Sequence, residues 1–222
     1  MAKKEKKQEE VELTQVVNKS EAFVTKYKWV LLGGIVALIA VVFGITQCQR
    51  SNENKENEAS AAVRGAVEAL AQGDYEKALN GDSIHMGLLK AMDQYSGTNQ
   101  GDLAKVMAGE AYAQMGKCKE AIPLLEGFSK GDQMVSPAIK GLLGECYANV
   151  GEIDKAINAF KEAAKMADNN TISPRYLIEA GIMLESQKKA DEALKLYQEV
   201  KTKYVNSPYY QEVDKYIERL SK

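Results

Sequence analysis

The chain has 222 residues, a formal charge of −2 and a mean hydropathy of −0.35. A charge this small gives no basic field for a nucleic-acid partner. One histidine, His85, and three scattered cysteines, Cys48, Cys118 and Cys146, supply no zinc ribbon, no Cys-x-x-Cys redox pair and no locally spaced Ser/His/Asp triad, so the composition argues against an enzyme, a metal, a cofactor or a small-molecule substrate and for a binding or assembly protein.

Residues 1–12 (MAKKEKKQEEVE) are strongly charged and read as a disordered tip. Over 13–28, Leu13, Val16, Val17, Phe23, Val24 and Tyr27 recur at helical spacing among Lys19, Glu21, Lys26 and Lys28. This is an amphipathic juxtamembrane helix, suited to lie on a membrane surface or to dock on a membrane partner through Phe23, Val24, Tyr27 and Trp29. Residues 29–46 (WVLLGGIVALIAVVFGIT) carry no charge. As a helix this stretch would be ~27 Å long, close to the hydrocarbon thickness of a bilayer, and a single transmembrane helix is expected there. The long leader, and the absence of an Ala-x-Ala site after the span, argue against a cleaved signal. Gln47 is not the small residue that a lipoprotein signal wants before its cysteine, here Cys48.

Lys3, Lys4, Lys6, Lys7, Lys19, Lys26 and Lys28 precede the stretch, and only Arg50 and Lys55 follow it closely. That bias puts the N-terminus in the cytoplasm and the remainder outside it, in the periplasm or its equivalent, with the chain in the inner (cytoplasmic) membrane. Residues 47–58, including the polar run SNENKENE, read as a linker or a continuation of the helix.

From residue 59 the chain resembles itself. Gly73-Asp-Tyr-Glu-Lys-Ala78, Gly116-Lys-Cys-Lys-Glu-Ala121, Gly151-Glu-Ile-Asp-Lys-Ala156 and Lys188-Lys-Ala-Asp-Glu-Ala193 align. Gly109, Gly144 and Gly181 stand twelve residues before the last three alanines, and Leu125, Phe160 and Tyr197 stand four after them. Tyr112 and Tyr147 follow two of the glycines by three. This is the spacing of a helical hairpin. Small residues (Gly109 with Ala121, Gly144 with Ala156, Gly181 with Ala193) let antiparallel helices approach, and large residues fill the wedge beside the crossing. One hairpin cannot bury its apolar face, so neighbours must stack. Ser136-Pro137, Ser173-Pro174 and Ser207-Pro208 recur where new hairpins should begin, as serine caps before a proline at the first helical position.

The pattern resembles the tetratricopeptide repeat (TPR), over three repeats in 102–205 with a degenerate repeat and an irregular insertion in 59–101 and a capping helix in 206–222. The resemblance implies an all-α, right-handed solenoid of helical hairpins. Within the insertion, Ile84–Tyr95 reads as a helix and Ser96–Gly101 as a loop. The family's first-helix tryptophan is replaced by Lys105, Lys140 and Leu177, and Pro123 should kink a second helix.

TPR arrays bind extended or helical segments along their first helices. The resemblance places Val106, Glu110, Ala113 and Gln114, then Gly141, Glu145, Ala148 and Asn149, then Ile178, Ile182 and Glu185 on that groove, with Leu103, Ala138, Arg175 and Ser186 beside them. The apolar ones can equally pack repeat on repeat. Val106, Gly141 and Ile178 stand where a carboxylate clamp would need lysine or asparagine, so a mildly acidic groove for apolar or basic segments is expected. Cys118 and Cys146 read as buried small hydrophobes, with a disulfide as the alternative outside the cytoplasm. His85 reads as a solvated residue near a helix start. Asn169-Asn170-Thr171 fits the N-glycosylation sequon, and Asp82-Ser83-Ile84 resembles a short O-glycosylation motif.

The whole layout is similar to YfgM-type proteins, in a Bacteroidota-like version. That resemblance implies an ancillary role at the Sec translocon, with channel subunits and a periplasmic chaperone as partners. The alternative is a scaffold for cell-envelope assembly, in division, outer-membrane or secretion-system machinery.

Overall fold

The computed structural model describes the backbone of residues 2–128 and 135–221, and the side chains of those residues except 2–26, 30–36 and 48. The chain divides into two compact units, Met1–Asn54 and Lys55–Lys222.

The first unit lies on α1 (Ala2–Ala71). The tip expected to be disordered falls within α1, which begins at Ala2. Residues 47–58 are helical as well. Among the described residues no helix is long and apolar enough to cross a membrane. The side chains of 30–36, inside the stretch expected to span, lie outside the described residues, as do Phe23, Val24 and Cys48. The span over 29–46 therefore gains no support at this level.

The second unit contains the end of α1, then α2 (Tyr75–Asn80), α3 (Leu88–Gln94), α4 (Asn99–Gln114), α5 (Cys118–Glu126), α6 (Val135–Asn149), α7 (Ile153–Ala167), α8 (Ser173–Ser186), α9 (Ala190–Lys203) and α10 (Asp214–Leu220). Among the described residues there is no strand, only an isolated bridge between Gly81 and Met86. Helices α4 to α9 form three consecutive hairpins, each packed on the next.

Four turns repeat one hydrogen-bond pattern. Gly73, Gly116, Gly151 and Lys188 all have positive φ, between 61° and 84°. Each donates its N–H to the carbonyl three residues back, and the following residue donates to the carbonyl five residues back, as in Lys117 to Tyr112, Glu152 to Tyr147 and Lys189 to Leu184. This Schellman arrangement satisfies the last carbonyls of the first helix while reversing the chain. A side chain strains the left-handed conformation, so Lys188 sits where glycine would fit better.

Within each hairpin a glycine opposes the large residue sixteen positions on. A methyl at Gly109 would lie 2.7 Å from Leu125 Cδ2, and one at Gly144 would lie 2.8 Å from Phe160 Cδ1. At Gly181 it would run into the Tyr197 ring. Ala121, Ala156 and Ala193 are fully buried one turn before those large residues. The glycines thus make notches that seat Leu125, Phe160 and Tyr197, while Tyr147 is buried and Tyr112 half-buried.

Hairpins begin where Ser136-Pro137 and Ser173-Pro174 predict, with α6 at Val135 and α8 at Ser173, but the expected serine caps, and the helix start after Ser207, are corrected. Helix α6 already begins at Val135, so Ser136 and Pro137 lie buried within its first turn. Ser173 is fully buried, and its hydroxyl donates to the Ala164 carbonyl of α7 (2.8 Å) while accepting the Asn169 N–H (3.0 Å). A buried hydroxyl needs a partner, and the preceding helix end supplies it. Ser207 accepts the Tyr209 N–H (3.0 Å) in a turn, and the last helix starts only at Asp214. In the insertion the helix starts at Leu88, not Ile84, because the chain first makes the Gly81–Met86 bridge. Pro123 lies inside α5, which has nine residues against fifteen in α7.

Candidate functional site

The face formed by α4, α6 and α8 is the candidate binding surface. Glu110, Gln114 and Asn149 are exposed on it, and Ala113, Glu145, Ala148, Ile182 and Glu185 are half-buried. Three expected groove positions are buried, as in the packing alternative that the sequence left open. Val106 is 7% exposed and Ile178 is 5% exposed, and Gly141 is buried beneath the Tyr176 ring. Burial closes these positions to a partner, and at Gly141 the covering ring belongs to α8, the first helix of the following repeat.

Acidic side chains dominate what remains open, and arginines two helices further along the chain hold two of them. Arg175 Nη2 donates to Glu145 Oε1 at 2.9 Å. Glu179, one turn along α8, is part-buried, and burial raises its carboxyl above the ordinary value, with Arg175 opposing and Glu145 adding to the rise. At the end of the array, Glu185 accepts Arg219 Nε at 3.1 Å, Arg219 Nη2 at 2.6 Å and the Tyr197 hydroxyl at 2.6 Å. Burial first, and the Glu185 carboxylate second, push the Tyr197 phenol well up. The Tyr216 ring of α10 packs 5.1 Å from Tyr197. The C-terminal helix therefore closes the last repeat through an ion pair and a ring pair. Glu179 and Arg219 went unread in the sequence.

A cavity of about 350 Å³ lies between α6 and α7, lined by Leu143, Tyr147, Lys155 and Asn158 and by the Lys140–Glu162 ion pair (2.9 Å). The Tyr147 hydroxyl donates to Glu126 at its edge. Its walls mix charges of both signs and present no catalytic constellation. Among the described residues, no group of three or more His, Cys, Asp or Glu side chains is placed to hold a metal ion.

His85 does more than meet solvent. Its ring packs against Gly65 of α1 and lies 3.2 Å from the Asp82 carboxylate. Asp82 also accepts the N–H groups of Ile84 (2.8 Å) and His85 (2.7 Å) and pairs with Lys77. Those donors, backbone first, hold its carboxyl well below the usual range. The sequon asparagine Asn169 is also engaged, accepting the N–H groups of Thr171 and Ile172 and donating to Ala167.

Known proteins place this architecture. The chain is similar in structure to the TPR-like repeats of a kinesin light chain from Podosopora anserina, with TM-score 0.55 and 14% identity over 74% of this chain and 86% of that one. It is also similar to MamA, with TM-score 0.54 and 17% identity over 73% and 89%. At these identities the likeness concerns the fold. No curated protein matches the sequence. The tetratricopeptide repeat model matches residues 106–171 and 143–209, and the tetratricopeptide repeat-like domain model matches residues 21–134. Such folds are typically non-catalytic scaffolds for protein–protein interaction. An array of stacked hairpins, and a family match over more than half its length, make this chain a member of the tetratricopeptide repeat-like domain family.

Proposed function

We propose that the chain is a single-pass membrane protein of the cytoplasmic membrane whose repeat domain lies outside the cytoplasm and receives segments of protein partners on the α4–α6–α8 face. In this reading it serves the Sec channel as an ancillary subunit and passes emerging clients to a periplasmic chaperone. The observation that carries the reading is the apolar part of α1. Every described side chain from Ala37 to Gln47 is exposed, and Leu38, Ile39, Val41, Val42, Phe43 and Ile45 are each more than half exposed. An uncharged helix that is apolar on all sides is costly in water and suits lipid.

Two further facts support it. The tetratricopeptide repeat-like domain match begins at residue 21, upstream of the apolar stretch, so that stretch falls within the family's domain. The lysines before the stretch set the orientation. The acidic surface of Glu110, Glu145, Glu179 and Glu185 is complementary to basic and apolar client segments, which are common in emerging chains.

The test is purification of the full-length protein from its native membranes in mild detergent, with identification of what accompanies it. Channel subunits and a chaperone at near-stoichiometric levels are the expected result. Envelope-assembly or division proteins without a channel subunit would replace the translocon role by a scaffold role. Recovery of the chain in the soluble fraction without detergent would overturn the anchor.

A further inference from the structure

Cys118 and Cys146 are the two thiols among the described side chains, and both are buried, at 5% and 1% exposure. Cys118 opens α5 and Cys146 lies near the end of α6, so the two come from different repeats. Both belong to one buried core at the packed α5–α6 junction, where the Cys118 thiol lies close enough to help raise the Cys146 pKa. The Asn149 side chain, one turn along α6, donates to Cys118 Sγ at 3.6 Å. That contact sets the Cys118 sulfur against α6 within one turn of Cys146, the neighbourhood from which a disulfide of ~2.05 Å can form.

From this juxtaposition we propose that Cys118 and Cys146 are a redox pair, and that their disulfide staples the first full repeat to the second. The junction is a useful place for a staple. Helix α5 is short, Pro123 costs it a backbone donor, and α5 has no side-chain cap at its start. The cross-link closes a loop of about 28 residues, which restricts the unfolded chain.

The chemistry balances with a disulfide oxidant such as glutathione disulfide. One cysteine thiolate attacks the oxidant and releases one glutathione. The second thiolate then attacks the sulfur of that mixed disulfide and releases the other. The two cysteines lose two electrons and two protons, and two reduced glutathiones form. Burial pushes the Cys146 thiol up to about 12, so in the closed fold it is a poor nucleophile. Exchange therefore runs through local opening of the junction or before α5 and α6 dock. Once formed, the cross-link is shielded from reductants in the same way. The staple stands apart from the proposed role at the Sec channel, and failure of either leaves the other untouched.

The experiment uses the full-length chain in mild detergent with Cys48→Ser, so that the pair alone is titrated. The folded protein is equilibrated in buffers of graded reduced and oxidised glutathione, then denatured in an alkylating agent. Both thiols are expected to disappear together, with a 2 Da mass loss, a Cys118–Cys146 cross-linked peptide and no glutathione adduct. The melting midpoint should rise by about 5–10 °C and return on reduction. Cys118→Ser and Cys146→Ser should each remove that redox-dependent rise. Thiols that remain alkylatable at every ratio, that take up glutathione independently, or that cross-link with a fall in melting midpoint would each overturn the proposal.

Discussion

The repeat unit holds two cores that solve the same packing problem differently. Between the end of α1 and α4 the buried residues are nearly all small: Ala66, Ala69, Ala78, Ala91, Ala104, Ala108 and Ala111, with Val63, Leu79 and Leu88. From α5 onward the core carries Leu125, Tyr147, Phe160, Tyr176 and Tyr197. Alanine faces bring helices close but specify register weakly, since one alanine fits against another at several offsets. A ring in a glycine notch fits at one offset only. The first region compensates with polar locks. Glu56 accepts the Gln100 N–H at 3.1 Å and so helps cap α4 from α1, Thr98 caps the same helix through the Gly101 N–H at 3.0 Å, and Asp82 ties the insertion loop together. The lesson is that regular repeats carry their specificity in shape, and the irregular one carries it in hydrogen bonds.

Phe160→Ala removes a fully buried ring from the notch at Gly144. It should cost about 3–5 kcal/mol of stability in denaturant unfolding. A loss under 1 kcal/mol would mean that the aromatic core is no stiffer than the alanine core. Gly181→Ala comes next. Helix propensity favours alanine by about 1 kcal/mol, but the methyl meets the buried Tyr197 ring, and overpacking costs about 1–3 kcal/mol, so a net loss of about 1 kcal/mol is expected.

Ala104→Gly in the first core should cost about 1 kcal/mol through helix propensity and leave the unfolding of α6 to α9 unchanged, as read by hydrogen exchange. Lys188→Gly relieves a positive φ of 61° and should stabilise by about 0.5–1 kcal/mol, bringing the fourth turn into line with the other three. A destabilised Lys188→Gly would show that the lysine side chain contributes more than its backbone strain.

The smallest effect concerns acid. Asp82 has its carboxyl pKa lowered in the folded state, and so does Asp168, chiefly through Lys203. A depressed carboxyl contributes stability that is complete above its unfolded value near ~4 and is lost as pH falls through the folded value. Unfolding should therefore become easier below about pH 4. Asp82→Asn should flatten that acid limb, and amide exchange at Ile84 and His85 should accelerate in the variant at neutral pH. Unchanged exchange would remove the polar lock from the comparison.

Much of the array was legible because its marks are local. The Gly116 and Gly151 turns, and Lys188 in register with them, follow from which residues tolerate a left-handed turn, and the Gly144–Phe160 pairing follows from spacing within one hairpin. The hairpin starts at Ser136 and Ser173 were legible, whereas the role of the serines, and the helix start expected at Ser207, were misread because serine-proline has two stable uses. Its hydroxyl can cap its own helix or tie back to the one before, and burial chooses. Groove positions were half legible. Glu110, Gln114 and Asn149 are open, whereas Val106, Gly141 and Ile178 are buried, and only the packing of repeat on repeat decides which of two adjacent faces stays free.

By itself, then, the sequence determined an all-α chain of helical hairpins, where its turns fall, and that one stretch of it is apolar on every side. Those properties depend on contacts within a turn or two of helix, or within one hairpin. The tertiary structure alone decided that Arg175 and Arg219 clasp Glu145 and Glu185, that the His85 ring packs on Gly65 of α1, and that Cys118 and Cys146 share the α5–α6 junction. Each of these joins residues from different elements, and such meetings depend on how helices cross, a quantity that residue spacing along the chain does not encode.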